Sequence, residues 1–372
     1  MAPPPEPQVP ASIYWQRTVV KKRRDPKNKA TVIFEEVPGC PGWSRPSDEN
    51  LRQIKRGDQG TVYYVQRWWL DSNRKLRAQA AAMKVLPYQT PNQRQLFDRE
   101  EANLRLLRYN GAGGQHRTQP FGPTFFDAFK GPAGTPGRQG HLIMSYLEGD
   151  SLAEYIKKAM IEAKKSGQQL VHVVMPVIKR LLQTLAFVYR KGERTFGVVQ
   201  PDNVMLIGKT IKLVDWGSSL APGQEAITGF PATLGFLTPE ATRDDLWEPP
   251  STPLGLHTSD VYAVGVMGLL FLCPDMEMPF GPTKKEIFEM QHDPAATAVV
   301  RKSMISSHNA WAAEYSVSAG KTWPASFDHL LSSIPSSQTS MAESFFLTLL
   351  HPDPAARPAA AEAVKHGFIN QS

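Results

Sequence analysis

The residues best suited to chemistry in this chain are two glycines, a lysine and two oxygen-bearing side chains. Gly57 and Gly60 stand in KRGDQGTVYYV, where a turn without Cβ atoms would let backbone N–H groups approach a phosphate. Lys84 follows in AAMKV, and Asn203 and Asp215 offer oxygen ligands of the kind that Mg²⁺ prefers. Each residue alone has an ordinary structural explanation, such as a hairpin turn or a solvated lysine. Their order along the chain is what indicates a site for a phosphate and a metal ion.

The elements that must position these residues follow from periodicity. Apolar residues alternate along LRQIKRGDQGTVYYVQRWW, which predicts two strands joined by a glycine turn, and RAQAAAMKVLPY predicts a third. TPNQRQLFDREEANLRLLRY has a helical period with Thr90 as its N-cap. Glu100 or Glu101 on this helix would pair with Lys84 and orient it towards an anionic ligand. HLIMSYLEG predicts a further strand.

Helices dominate from Ser151 onwards, after a strand-rich beginning. A small strand-rich half followed by a large helical half predicts an α+β fold with two lobes. We expect three parts: a Pro-rich and basic extension over 1–50, an N-lobe with its hinge over 51–149, and a helical C-lobe over 150–372. Within the extension, ATVIFEE predicts a short strand and VPGCPGWSRPSDEN a loop.

The charge distribution indicates possible partners of the chain, and the cysteine content limits its possible disulfides. The net charge is +7, and the basic run over 17–29 contains the cluster Lys21–Arg24. This cluster suits a nuclear-import signal, an anionic surface or simply a solvated tail. No zinc-ligand spacing or aromatic-interleaved basic stripe predicts a specific nucleic-acid site. Cys40 and Cys273 are either two free thiols or one long-range bridge.

The apolar stretches predict no transmembrane segment, because none runs for the roughly 18 residues that a spanning helix needs. The longest candidate, VYAVGVMGLLFLC, is typical of a buried helix. The N-terminal MAPPPEPQVP has no apolar core, so no signal peptide is predicted. We expect either a cytoplasmic protein or one whose leader is absent from the chain as given.

From about Leu51 to Ile369 the chain resembles the protein-kinase superfamily, on the glycine turn, AAMKV, PDNVML and IKLVDWG. The resemblance implies ATP and Mg as cofactors, with Asn203 and Asp215 as the metal ligands. It places Met144 at the gatekeeper position and Tyr146 in the hinge. The residues that it assigns to nucleotide binding are Gly57, Gly60, Val62, Ala82, Lys84, Glu100, Met144, Tyr146 and Met205.

Three further matches concern the architecture of the kinase C-lobe. Thr238-Pro239-Glu240 is similar to the APE triplet, and Arg357 to the arginine that pairs with its glutamate. Asp260 is similar to the helix aspartate that braces the catalytic loop. This set implies a kinase-like C-lobe whether or not the protein is active.

The departures from the family pattern concern catalysis. Val198 occupies the position of the catalytic base and Gln200 that of the lysine that steadies the γ-phosphate, while Lys55 replaces the first glycine of the Gly-rich loop. Loss of a general base costs about 10²–10⁴-fold in rate. We therefore predict a pseudokinase that retains some ATP binding and serves as a scaffold or allosteric regulator. The alternatives are an active serine/threonine kinase with an atypical loop, and a nucleotide-free interaction protein.

A second resemblance is to the secreted rhoptry-kinase family of apicomplexan parasites. It rests on LPYQTPNQRQLFDREEANLRLLRY, on Gly197 in the second place of the catalytic loop, and on the insert DDLWEPPSTPLGLHTSD. That family contains many pseudokinases. The resemblance implies protein partners and a location in a secretory organelle or vacuole, in place of the cytoplasm.

Overall fold

The computed structural model describes eleven stretches of the chain, which form two compact units. One unit comprises Met1–Thr118 and Pro123–Leu147, and the other comprises Gln119–Gly122 and Glu148–Ser372. The described residues are 34–47, 53–57, 60–70, 73–106, 121–131, 137–192, 194–221, 236–242, 257–272, 294–317 and 334–371.

The first unit is built on an antiparallel sheet with one long helix. The helix, α1, spans Pro91–Leu106 and begins at the predicted cap: the amide of Gln93 donates to Thr90 Oγ1, and Gln93 Oε1 accepts from the amide of Thr90. The strand order is β1-β2-β4-β5-β7-β6, and β3 pairs with β4. The strands are β1 Phe34–Glu36, β2 Ser44–Pro46, β3 Gln53–Gly57, β4 Gly60–Leu70, β5 Leu76–Pro87, β6 Phe125–Lys130 and β7 Gln139–Ser145.

An N-terminal hairpin, residues 34–46, adds β1 and β2 to the edge of this sheet, and the turn between them packs on one face of the sheet. Trp43 is buried there, stacks on Phe126 at 6.0 Å and donates from Nε1 to Asp127 Oδ2 at 3.3 Å. Val37 and Cys40 join the same core. The predicted loop over 37–50 is therefore wrong in part, because β2 pairs there with β1. The boundary predicted at residue 50 lies between strands of one sheet.

Cys40 is a free thiol, and burial raises its pKa to about 12, so that it stays protonated and unreactive at neutral pH. The other cysteine considered for a bridge, Cys273, lies outside the described residues, as does the basic cluster Lys21–Arg24.

The second unit is mainly helical and carries a small three-stranded antiparallel sheet with the order β10-β9-β8. Its strands are β8 Asp150–Ser151, β9 Val204–Ile207 and β10 Thr210–Leu213. Its described helices are α2 Leu152–Ser166, α3 Val171–Gly192, α4 Pro239–Thr242, α5 His257–Leu272, α6 Pro294–Val317, α7 Thr339–Leu349, α8 Ala360–Ala363 and α9 Gly367–Gln371.

Helix α3 is long and apolar enough, by length and composition alone, to cross a membrane. Lys179, Arg180 and Gln183 interrupt its apolar run. Nine of its residues are buried inside the unit, as is typical of a core helix. It packs against α5, the helix predicted as buried, in which thirteen of sixteen residues are buried.

A buried ion pair ties α4 to the C-terminal part of the second unit, as the sequence predicted. The guanidinium of Arg357 donates from Nη1 and Nη2 to the two carboxylate oxygens of Glu240, each at 2.7 Å. Arg357 also donates from Nε to His351 O at 2.6 Å and lies 4.8 Å from the ring centroid of Tyr262. This network fixes the position of Glu240 in α4.

Candidate functional site

The candidate site residues of the first unit centre on a buried lysine. Lys84 lies in β5 and donates from Nζ to both carboxylate oxygens of Glu100, at 3.0 and 2.9 Å. Both side chains are less than one tenth exposed. Of the two glutamates that the sequence left open, Glu100 therefore forms the pair, while Glu101 binds Arg105 and Lys130 at the surface.

The other residues predicted to contact nucleotide in this unit share the sheet face of Lys84. Val62 lies opposite Lys84 in the register of β4 and β5, and Ala82 lies opposite Met144 in that of β5 and β7. Cross-strand partners project to the same side of a sheet, opposite to the face that the N-terminal hairpin covers. Tyr146, just after β7, has its ring 5.2 Å from that of Tyr64.

Two residues of this face, Tyr64 and Leu142, were not among those predicted from the sequence. Tyr64 pairs with Ala82, and Leu142 pairs with Lys84 in the neighbouring strand. The signal was present, because the strand period of two places Tyr64 on the side of Val62, and Leu142 on that of Met144.

The glycine turn is described only at its two ends. Gly57 and Gly60 pair with one another at the end of β3 and the start of β4, and Asp58 and Gln59 between them lie outside the described residues. A Cβ at Gly60 would lie 2.2 Å from the carbonyl oxygen of Val85. Close packing against β5 therefore already requires glycine at position 60, whatever ligand approaches the turn.

In the second unit, the loop over 194–203 carries the altered and the retained residues of the catalytic motif. Asn203 is buried and donates from Nδ2 to the carbonyl of Val198 at 3.3 Å. Its own carbonyl accepts from the amide of Val214 at 2.9 Å, which brings the residue before Asp215 beside it. Val198 and Gln200 are half-buried. Neither an alkyl group nor a neutral amide can take a proton or supply a positive charge at these positions.

Asp215 has a backbone conformation that few non-glycine residues adopt, with φ 72° and ψ 76°. Such a conformation costs of the order of 1–3 kcal/mol and persists only where the surroundings enforce it. Trp216 supplies that enforcement, because its indole Nε1 donates to Leu213 O at 3.0 Å and its ring lies 5.0 Å from that of Phe196. Trp216 is buried, so the turn that presents Asp215 is anchored in the core.

Asp260, at the start of α5, holds the beginning of the same loop. Its Oδ2 accepts from the amide of Phe196 at 2.7 Å and its Oδ1 from that of Gly197 at 2.9 Å. Burial raises the pKa of Asp260 to about 6, against the lowering effect of these two hydrogen bonds. The sequence predicted this bracing.

Gly197 has a positive φ of 93°, and a Cβ there would lie 2.3 Å from the carbonyl oxygen of Ser218. Glycine at this position therefore lets the loop approach Ser218 closely. Ser219 strengthens the contact by donating from Oγ to Thr195 O at 2.6 Å.

Asn203 and Asp215 supply oxygen atoms of the kind that bind Mg²⁺, and two protein ligands suffice where substrate phosphates and waters complete the shell. Among the residues that the structure describes, no group of three or more His, Cys, Asp or Glu side chains could hold a metal by itself. Met205, predicted to line the adenine pocket, is half-buried in β9 opposite Lys212.

A comparison with models of protein families matches residues 125–369 to the protein kinase domain. The match covers more than half of the chain and includes Asn203, Asp215, Glu240, Asp260 and Arg357. Lys84 and Glu100 lie outside it. A search of curated proteins found no match.

Proposed function

This chain belongs to the protein kinase family, with the predicted α+β architecture, and from that premise we propose that it is a pseudokinase. In this proposal the protein binds ATP, with Mg²⁺, through retained groups and transfers little or no phosphate. Its biological role is then to scaffold a protein partner or to regulate it allosterically.

The proposal rests mainly on which residues of the kinase pattern are altered and which are retained. The altered positions, Val198 and Gln200, are those whose chemistry is needed for transfer. The retained groups serve binding in kinase domains: the lysine with its paired glutamate, the loop asparagine and the metal-ligating aspartate. The ion pair of Lys84 with Glu100 and the anchored turn of Asp215 support the view that the binding groups are held in place.

A second candidate, an active kinase with an atypical loop, is favoured by one observation. Kinases need the strand lysine and the helix glutamate paired before they transfer phosphate, and Lys84 and Glu100 are paired here. Since phosphoryl transfer depends mainly on positioning and electrostatics, activity without the base is physically possible.

Two measurements on the full chain test these two candidates and the third, a nucleotide-free interaction protein. The first is thermal or chemical unfolding with ATP, with and without Mg²⁺, on the wild type and on Asp215→Asn. Binding stabilises the folded state by about 2.7 kcal/mol when the nucleotide is at a hundredfold excess over Kd. We expect this stabilisation for the wild type, and a smaller effect of Mg²⁺ in the variant. No stabilisation under any condition would favour the nucleotide-free interaction protein.

The second measurement is transfer of label from radiolabelled ATP to a panel of proteins, with Asp215→Ala as the control. The proposal predicts no transfer above that control. Label that appears with the wild type and vanishes in Asp215→Ala would refute the pseudokinase reading. The same experiment should include Asp202→Asn, because Asp202 is an exposed carboxylate in the loop. If the wild type transfers label and this variant does not, Asp202 acts as a substitute base.

A further inference from the structure

One surface of helix α2 carries lysines on both sides of an exposed aliphatic side chain. The stretch reads KKAMIEAKK, and the lysines have the same spacing in both directions from Ile161. At about 100° per residue, they fall with Ile161 within about 120° of the helix circumference, and Ile161 lies at the centre. All of these side chains are exposed. We call this surface the lysine face, and its members are Lys157, Lys158, Ile161, Lys164 and Lys165.

The opposite surface of α2 holds the helix on the second unit. Its buried residues, Leu152, Ile156 and Ala163, lie about 140–180° from Ile161 around the helix axis. The helix is also closed at both ends, by a capping box on Ser151 and by a glycine in the left-handed conformation after its last residue. The lysine face is therefore presented on a fixed helix and points away from the unit.

The stability of the helix explains only part of this pattern. Lys164 and Lys165 stand in the last turn, where cations stabilise the helix C-terminus. Lys158 pairs with Asp150 at 2.7 Å, but both side chains are exposed, so solvent screens the pair. Neither effect explains Ile161, which is 52% exposed and is one of only five large apolar residues classed as exposed in the described part of the chain.

The lysine face fits a partner that carries both negative charge and an apolar side chain. Three of its four lysines have no carboxylate partner among the described residues, so the positive charge is largely unneutralised. An apolar centre with charged residues around it is the usual anatomy of a protein interface. A second helix that carries two carboxylates on each side of an aliphatic residue, at the spacing of KKAMIEAKK, matches this face in charge and in shape.

The carboxylates near the lysine face favour a narrow protein segment over a flat anionic surface such as a membrane. Glu154 and Glu162 are exposed on the same helix, and Asp150 lies just before it. A lipid surface that covers α2 would bring its phosphates close to these carboxylates, which carry charge of the same sign. A helix that covers only KKAMIEAKK ends before Glu154 and leaves Glu162 to one side. One aliphatic side chain also gives little apolar area for insertion into a bilayer.

We propose that the lysine face is a docking surface for an acidic amphipathic helix of a partner protein. The carboxylates of the partner pair with the lysines on both sides of Ile161, and its aliphatic side chain packs on Ile161. The inference rests on the scaffolding role proposed above and names the chemistry of the partner. Docking is measured without nucleotide, so its failure can be told apart from a failure of the pseudokinase proposal, which is tested by ATP binding and phosphate transfer.

The probe is a fluorescent helical peptide of about 18 residues, rich in alanine, with two glutamates on each side of a central leucine at the spacing of KKAMIEAKK. Fluorescence anisotropy with the full chain should show saturable binding that weakens severalfold as salt rises from about 0.05 to about 0.5 M. A peptide of the same composition, with its glutamates spread around the helix, should bind at least about tenfold more weakly. No binding of the probe would refute the docking surface, and equal binding of the two peptides would overturn the amphipathic partner.

Charge reversal on the chain tests the pairing. Lys157→Glu with Lys164→Glu reverses the charge on both sides of Ile161 and should weaken the probe at least about tenfold. This variant should instead bind a peptide in which lysines replace the four glutamates, and such binding would also show that the variant is folded. Lys191→Glu with Lys302→Glu is the matched control, because both lysines are exposed on other helices of the same unit. Unchanged affinity in the first double variant would refute the site.

The apolar centre and the alternative partner have tests of their own. Ile161→Ala should weaken the probe about fivefold or more, whereas Val299→Ala, at another exposed aliphatic residue, should not. Equal effects of these two changes would overturn the role of Ile161. Vesicles of phosphatidylcholine and phosphatidylserine should bind the chain more weakly than the probe does. If the vesicles bind, the lysine double variant abolishes that binding and the peptide does not compete, then the partner is a membrane and the proposal is wrong.

Discussion

Replacing Lys84 is the obvious test of nucleotide binding, but the structure predicts that Lys84→Met also destabilises the fold. The ammonium group of Lys84 is the partner of a buried carboxylate, Glu100. Removal of one partner of a buried pair leaves an uncompensated charge and costs about 3–5 kcal/mol. A loss of ATP binding in Lys84→Met could then have two causes: the loss of the contact between Lys84 and ATP, or the destabilisation of the first unit.

The double variant Lys84→Met with Glu100→Leu separates the two effects. An apolar pair of similar volume often replaces a buried ion pair without net cost. We therefore expect the double variant to unfold at a higher urea concentration than Lys84→Met, with most of the 3–5 kcal/mol recovered. Both variants should lack the stabilisation by ATP that the wild type shows.

Lys130→Met is the matched control for this series. Lys130 also bridges to α1, through Asp98 at 2.9 Å and Glu101 at 3.2 Å, but at the surface. Exposed pairs contribute about 0–1 kcal/mol, so this variant should be nearly as stable as the wild type and should keep its response to ATP. The reasoning fails if Lys84→Met costs no more than Lys130→Met. It also fails if the double variant is stabilised by ATP as strongly as the wild type.

Three further predictions test the loop and the core of the second unit. The double variant Val198→Asp with Gln200→Lys restores a base and a cation, so the transfer of radiolabel from ATP should rise about 10²–10⁴-fold. Unchanged transfer in a variant that binds ATP as tightly as the wild type would contradict the assignment of these two positions. Burial lowers the pKa of His308 to about 4 from 6.5, so its contribution to stability is complete above pH 6.5 and is lost as pH falls to 4. We therefore expect urea titrations to show that the free energy of unfolding of the wild type, relative to that of His308→Gln, falls by about 3 kcal/mol between pH 6.5 and pH 4. A difference between the two proteins that stays constant with pH would show that the pKa of His308 is not lowered by folding. Arg357→Met strands the carboxylate of Glu240 and should cost about 3–5 kcal/mol by chemical denaturation, and a cost under about 1 kcal/mol would show that solvent reaches the pair.

The local elements of both units could be predicted from the sequence, because their signals are local. Thr90 caps its helix through a residue three positions away, and Lys84 lies on a strand whose alternation is plain. The pairing with Glu100 followed from the order of motifs, although the sequence alone did not exclude Glu101.

The features that the sequence did not predict depend on distant contacts. Strand β2 has no apolar alternation, and the residue before it, Trp43, packs against Phe126, far along the chain. The reason for glycine at position 197 appears only when Ser218 is seen to lie against it.

The N-terminal hairpin has a mechanical consequence. A protein shortened to the motif-bearing part, from residue 51 onwards, would lose Trp43, Val37 and Cys40 and would leave one side of the sheet uncovered. We therefore expect a piece that begins at residue 51 to be less stable than one that begins at residue 34. The basic run over 17–29 ends five residues before β1. A partner that binds this run would therefore lie close in sequence to β1. Strand β1 is an edge strand of the same sheet that contains Lys84.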